Sequence, residues 1–436
     1  MKPVPCVLLA VALALAAPAA FAQEDVAPGA PTFKEGDVIT LDKVDQLKPF
    51  LPAEFWSNRD FFFYEGMQLE IGPSFKDYSP FSGYVAATKE NAGQAKIGPE
   101  SSLDNFTVGQ PFPIDQIDCK GDPQAGAKVA WDFVLRWEGL HRYASFYYSY
   151  WDRGEELPLY YEGTSDGYRL AFRAEPQFKE MKGDVFRNEK RYEASGPSVD
   201  APFDARGIML MTYRYKASLG PKATSKNDDT WVYVPTLRRV RRISSAQRTD
   251  AVSGTDFTFD DLFSFNGVVP QYDWQCLGKV DLVAPTNTKV KAYPYEKDHN
   301  FGPYGLSFAD DRWDLRHAIK IRFTPTNSDH PYKFKDIYLD MNSMEPMYSF
   351  AYDRKGELWK IIWHNKIWSD NPDNVAYDPY PGVEQPRDLT VVSDIIVNVQ
   401  TGTGNRIEFW DRTGTTDGNI GKIRRVIDVG RLTKGR

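Results

Sequence analysis

Two blocks of ionisable residues lie close together in the middle of the chain. Arg238, Arg239, Arg241 and Arg242 follow the aromatic run 231–234 and Pro235, and Asp256, Asp260 and Asp261 come after a polar turn centred on Gly254. Guanidinium is a planar fork that matches carboxylate and phosphate. Four of them within five positions read as a clamp for an anionic head group, a nucleic-acid footprint, or a cluster neutralised by neighbouring carboxylates. Val240 and Ile243 interrupt the run, so the four guanidinium groups cannot all face one way and some must pair locally. Asp256 and Asp260 have the residue type that glycan hydrolases use in pairs. The plainer reading is that Asp260 caps a short helix and that these carboxylates pair with the arginines. Trp231, Tyr233, Phe257 and Phe259, on either side of the arginine run, complete the candidate ligand-contacting set.

Little else offers catalysis. The chain has no G-x-S-x-G elbow, H-E-x-x-H helix, P-loop or G-x-G-x-x-G turn. Its five histidines, His141, His299, His317, His330 and His364, are scattered without ligand spacing. His317 and His364 fall inside strand patterns, where a structural role is the simpler one. No metal site, cofactor or enzymatic activity is expected.

The elements that must position these residues can be read from composition and period. A net charge of −7 and a pI of about 5.5 leave no global basic surface for a polyanion, so nucleic acid is not an expected partner. Aromatics make up 14% of the chain, suited to strands and broad amphipathic contact surfaces. Residues 1–22 combine Lys2, an apolar run and small residues around Phe21, the pattern of a cleaved secretory signal peptide. Residues 23–36, rich in Ala, Pro and Gly, read as a flexible leader, and 37–436 as a single β-rich domain. Past the signal peptide two cysteines remain, Cys119 and Cys276, free to pair in an oxidising compartment if geometry allows.

Residues 40–56 carry Val44, Leu47, Phe50 and Leu51 at helical spacing, 60–71 resemble a strand, and 72–109 read as loops. For 122–137 a helix opened by Asp122-Pro123 is favoured over a strand. Beyond Leu140 the period becomes two, in 142–151, 168–173, 209–215 and 317–323. Hairpin signals follow at 348–363 and 389–410. Strands joined by short turns, without helical crossovers, predict a mainly β (α+β) protein: one large, curved antiparallel sheet, an unclosed half-barrel wrapped over a few helices. The two N-terminal helices are the candidates to cover its apolar face.

The stretch WVYVPTLRRVRRISSAQRTDAVSGTDFTFDDLF, with Gly109-Gln110-Pro111-Phe112-Pro113, the 122–137 segment, Tyr272-Asp273-Trp274 and Leu277-Gly278, resembles an uncharacterised exported family related to outer-membrane lipoprotein-sorting carriers, the LolA/LolB-like superfamily. The resemblance implies an unclosed sheet over helices around an apolar cavity. It further implies a periplasmic carrier that shuttles lipid, acyl chain or lipoprotein between membranes, with an inner-membrane exporter of the resistance-nodulation-division class and an outer-membrane protein as partners. A periplasmic lipid or glycan hydrolase working through Asp256 and Asp260, and an outer-membrane-associated assembly protein without a small ligand, are the alternatives.

Overall fold

The computed structural model describes residues 29–186, 189–244, 248–289, 301–369, 387–413 and 419–434. The expected signal peptide and His299 lie outside them. The strands are β1 (Val38–Ile39), β2 (Leu69–Ile71), β3 (Lys96–Ile97), β4 (Leu103–Asp104), β5 (His141–Asp152), β6 (Glu155–Arg169), β7 (Arg191–Ala201), β8 (Met209–Tyr215), β9 (Asp229–Val234), β10 (Arg239–Ile243), β11 (Tyr272–Ala284), β12 (Arg312–Pro325), β13 (Tyr332–Asp340), β14 (Pro346–Asp353), β15 (Leu358–Trp368), β16 (Leu389–Asn398) and β17 (Thr403–Thr413). Among the described residues four α-helices accompany them: α1 (Ala53–Ser57), α2 (Ser82–Asn91), α3 (Ala125–Val134) and α4 (Ile420–Val426).

Among the described residues fifteen strands form one unclosed sheet in the order β1-β2-β12-β13-β14-β15-β16-β17-β5-β6-β7-β8-β9-β10, with β11 also on β12. Neighbours are antiparallel except at Arg312–Trp313 of β12, which run parallel to β2. The chain's last long strand, β17, pairs with β5 along most of its length, which joins the two halves of the sheet.

Strand alternation sends successive side chains to opposite faces, and the packing clusters divide accordingly. On the outer face, Phe350, Ile361, Trp363 and Ile395 pack against Phe55 and Phe62 of the N-terminal segment. On the inner face, Ile319, Ile321 and Ile337 pack against α3, while Ile362, Val391 and Ile396 pack against the segment around Phe257. The outer face of the β7–β9 region is covered by α4 and the turn after it, through Tyr213, Ile423, Ile427 and Leu432. The two N-terminal helical segments therefore lie on opposite faces rather than sharing one.

The 122–137 pattern forms a helix, but a shorter one: α3 spans Ala125–Val134 with Gln124 as its N-cap and no side-chain cap bond, while Asp122, expected to open it, accepts from the Gln124 backbone N–H at 2.8 Å in the turn before it. Gly126 is required by close approach, since a Cβ there would lie 2.5 Å from the Gln275 backbone nitrogen of β11. Residues 41–50 are helical but of the tighter 3-10 type, with Pro49 inside, and bury Val44, Leu47 and Phe50 as spaced. Three expectations are corrected. Residues 60–71 yield only the short β2, because a 3-10 turn at Arg59–Phe61 occupies the start. The supposed loops of 72–109 contain α2 and the small β3–β4 hairpin. The alternation through 173 stops at Arg169, and Phe172 takes a left-handed φ of 62°. Packing also begins ahead of Asp37, with Phe33 buried edge-on against Phe50.

Candidate functional site: an inner-face cavity

Four neighbouring strands share one gradient along their inner-face residues. β5 runs Arg142, Ala144, Phe146, Tyr148; β6, taken in reverse, runs Arg169, Ser165, Tyr161. β7 runs Glu193, Ser195, Pro197, Val199, and β8 in reverse runs Arg214, Thr212, Leu210, with Ile208 just ahead of the strand. Antiparallel register sets Arg169 opposite Glu193 and Glu193 opposite Arg214, so the charges fall in one row and the apolar ends at the far side. These strands, with Val391 of β16, Phe409 of β17 and the 251–266 segment, enclose a cavity of about 760 Å³. That volume lies within the ~300–1,000 Å³ range of small-molecule pockets.

The charged row is an ion-pair lattice. Glu138, just beyond α3, receives Arg136 at 2.8 Å, Arg142 at 3.0 Å and Arg169. Arg136 also reaches Glu345 at 2.5 Å, and Arg169 reaches Glu193 at 3.2 Å. Burial alone would raise the Glu138 carboxyl, but the surrounding guanidinium groups outweigh it and hold it far below the usual carboxylate range. A second chain runs from Arg214 to Asp228 at 2.9 Å, on to Arg248 at 3.3 Å, and to Asp260 at 2.7 Å.

The 256–264 segment separates cavity from sheet. Phe257, Phe259, Leu262 and Phe263 turn toward the cavity. Its polar residues are tied to the strands beneath. Asp256 accepts from Asn398 at 2.7 Å and Thr403 at 2.5 Å. Asp261 accepts from Lys335 at 2.9 Å, Lys360 at 3.0 Å and the Tyr332 hydroxyl at 2.7 Å. Burial pushes the Asp261 carboxyl up, and the two ammonium groups more than reverse this, keeping it ionised well below the ordinary range. Ser264 and the Nε2 of His364 are 2.7 Å apart, and the Nδ1 of His364 is 2.5 Å from Asp394. That is the order of a hydrolytic relay, and burial keeps the imidazole neutral. Ser264 has no exposed surface, however, and the cavity is lined by its neighbours Phe263 and Phe265. In this arrangement the chain of hydrogen bonds pins the segment to β15 and β16.

The residues picked out by sequence scatter across this architecture. Phe257 and Phe259 line the cavity. Trp231 and Tyr233 point to the opposite face, where Trp231 packs edge-on against Tyr213. Arg238 occupies a left-handed turn with φ 47°, and Arg239, Arg241 and Arg242 are exposed on β10. Among the described residues only Arg242 of the four forms an ion pair, with Asp229. The expectation that this run pairs with Asp256, Asp260 and Asp261 is corrected: their partners are Asn398 and Thr403, Arg248, and the lysines of β13 and β15. Neither Asp256 nor Asp260 lines the cavity. Cys119 and Cys276 form a disulfide with Cα atoms 5.0 Å apart, tying the loop before α3 to β11. Among the described residues no group of three or more His, Cys, Asp or Glu is placed to hold a metal ion, and no helix is long and apolar enough to cross a membrane. The charged row at Arg142, Arg169, Glu193 and Arg214 escaped sequence reasoning. Its signal was an ionic residue at the same end of four successive strands.

Comparison with known proteins places residues 38–416 in a family described as protein of unknown function (DUF1329). An uncharacterized protein of Pseudomonas aeruginosa, PA3922, is 25% identical over 293 residues, which are 63% of this chain and 57% of that relative's length. A Vibrio parahaemolyticus domain described as an outer membrane lipoprotein-sorting protein is 17% identical, covering 72% of this chain and 100% of that one, with a TM-score of 0.45. A DUF1329 family protein from Desulfovibrio piger is 16% identical over 71% of this chain and 99% of its own, TM-score 0.46. A LolA superfamily protein from Nitrosomonas europaea, NE2245, is 13% identical over 64% of this chain and 88% of its own, TM-score 0.34.

Proposed function

From the premise that this chain belongs to the DUF1329 family, we propose that it is an exported carrier that holds a hydrophobic ligand in the inner-face cavity and passes it between membranes. The observation that carries this reading is the cavity itself, about 760 Å³ with aromatic and aliphatic walls at one end and an ion-pair row at the other. Each methylene moved there from water gains about 0.8 kcal/mol, so a long acyl chain gains on the order of 10 kcal/mol before ordering costs, without any covalent step. The ligand class is lipid, acyl chain or lipoprotein acyl group, its polar end toward Arg142 and Arg169. An inner-membrane exporter of the resistance-nodulation-division class and an outer-membrane protein are the partners that would load and unload it in the periplasm.

The hydrolase reading finds less support. It relied on Asp256 and Asp260, which are engaged in hydrogen bonds and ion pairs outside the cavity. The carrier reading is tested by purifying the protein under native conditions and identifying extracted lipids by mass spectrometry. Recovery of one hydrophobic class in near-stoichiometric amount is expected. An empty protein that also fails to take up lipid from micelles rejects the reading.

A further inference from the structure

The arginine run, set aside by the cavity, lies beside the most exposed large apolar side chain among the described residues. Phe203, in the β7–β8 turn, is 89% exposed, and Leu237, in the β9–β10 turn, is 47% exposed. The two turns are neighbours: a Cβ on Gly207 would sit 3.0 Å from the Pro235 ring. Around them Arg206, Arg238, Arg239 and Arg241 are exposed and form no ion pair among the described residues, against two exposed acids, Asp200 and Asp204. A chain of net charge −7 thus gathers free arginines at one tip of its sheet, around two apolar side chains that contribute nothing to its core.

The tip is continuous with the cavity. Val199 and Ile208, which line its apolar end, close the turn that carries Phe203, through the Val199 N–H donating to the Ile208 carbonyl at 2.9 Å. Arg239 and Arg241 share a strand face with Ile243, another lining residue. The ionic row closes the opposite end.

We propose that the paired β7–β8 and β9–β10 turns are a docking surface for an anionic phospholipid bilayer. Phe203 and Leu237 enter the acyl boundary while the arginines engage lipid phosphates. Aromatic and aliphatic side chains ringed by arginine suit that interface, where each basic residue near an anionic surface strengthens binding by about fivefold. Docking in this orientation brings the apolar end of the cavity, not the ionic end, to the membrane.

Vesicle flotation of the purified protein, with no ligand added, tests this separately from cavity loading. Binding is expected to phosphatidylcholine vesicles containing phosphatidylglycerol, weakened by salt, and not to phosphatidylcholine alone. F203S/L237S and R239E/R241E should each lower the partition coefficient at least tenfold, on the order of two basic contacts, with unfolding midpoints unchanged. F203W should show blue-shifted emission on the anionic vesicles. Absence of vesicle binding, equal binding to neutral vesicles, or full binding by both double variants overturns the proposal. An empty cavity in a protein that still docks would reject the carrier reading alone.

Discussion

Asp261 is the residue on which the central motif depends for stability, and Asp261→Asn isolates its charge. The carboxylate is buried, with Lys335 and Lys360 each within about 3 Å and both lysines themselves buried. Asparagine keeps the size and one acceptor for the Tyr332 and Thr258 hydroxyls, but leaves two buried ammonium groups without a counter-charge. Breaking a buried pair in this way costs about 3–5 kcal/mol. Urea unfolding followed by tryptophan fluorescence at neutral pH should show that loss. Because the folded carboxyl titrates below its unfolded value, its contribution is complete above about pH 4 and disappears as pH falls toward the folded value. The gap between wild type and D261N should therefore close in acid. Adding K360M to D261N should recover much of the loss, since one orphaned charge is removed. R238E/R239E is the control: both side chains are exposed and unpaired among the described residues, so the change should stay within about 0.5 kcal/mol. A D261N loss below about 1 kcal/mol, or a larger loss in R238E/R239E, would refute the reasoning that the aspartates, not the arginines, fix this segment.

Asp314 carries the opposite sign. Burial pushes its carboxyl up to about 7 despite the Tyr78 hydroxyl and nearby Arg316, so its destabilising contribution develops as pH rises from about 4 to 7. D314N should remove this dependence, flattening stability between mildly acid and mildly alkaline pH by up to about 4 kcal/mol; an unchanged pH profile counts against it. Ser264, buried and held by His364, should resist a fluorophosphonate probe in the native protein, and S264A should lower stability by about 1–3 kcal/mol. Rapid stoichiometric labelling of Ser264 would instead show an accessible nucleophile. Reducing the Cys119–Cys276 bond, which closes a separation of 157 residues, should lower stability by on the order of 2–5 kcal/mol; a C119S/C276S variant as stable as wild type would contradict that.

The sheet was legible because period-two alternation is a local property. The strands 142–151, 209–215 and 317–323 and the hairpin at 353–356 were all visible in it. The α3 segment was legible from its apolar spacing, although the start read at Asp122-Pro123 falls ahead of its first residue, Ala125. Side-chain partnership was not, because it depends on which distant strand lies underneath. Asp261 meets Lys335 and Lys360 across a sequence separation of 74 and 99 residues, while the arginines much nearer in sequence go elsewhere. Trp231 and Phe257 look alike in sequence, yet one packs under α4 and the other faces the cavity. The face is set by the register of β9 on β8, which local pattern does not encode. The charged row was missed for the same reason: Arg142, Arg169, Glu193 and Arg214 form a line only after four strands are aligned.

The carrier reading stands or falls on what occupies the cavity. Ala144 lines it at the middle of the β5 gradient and is half-buried, so A144W fills the space with little demand on the core. Mass spectrometry of lipid extracted from natively purified wild type and A144W is the direct measurement. The prediction is one hydrophobic class bound near one per chain in wild type and sharply depleted in A144W. No bound ligand in wild type, or equal amounts in both proteins, would contradict it.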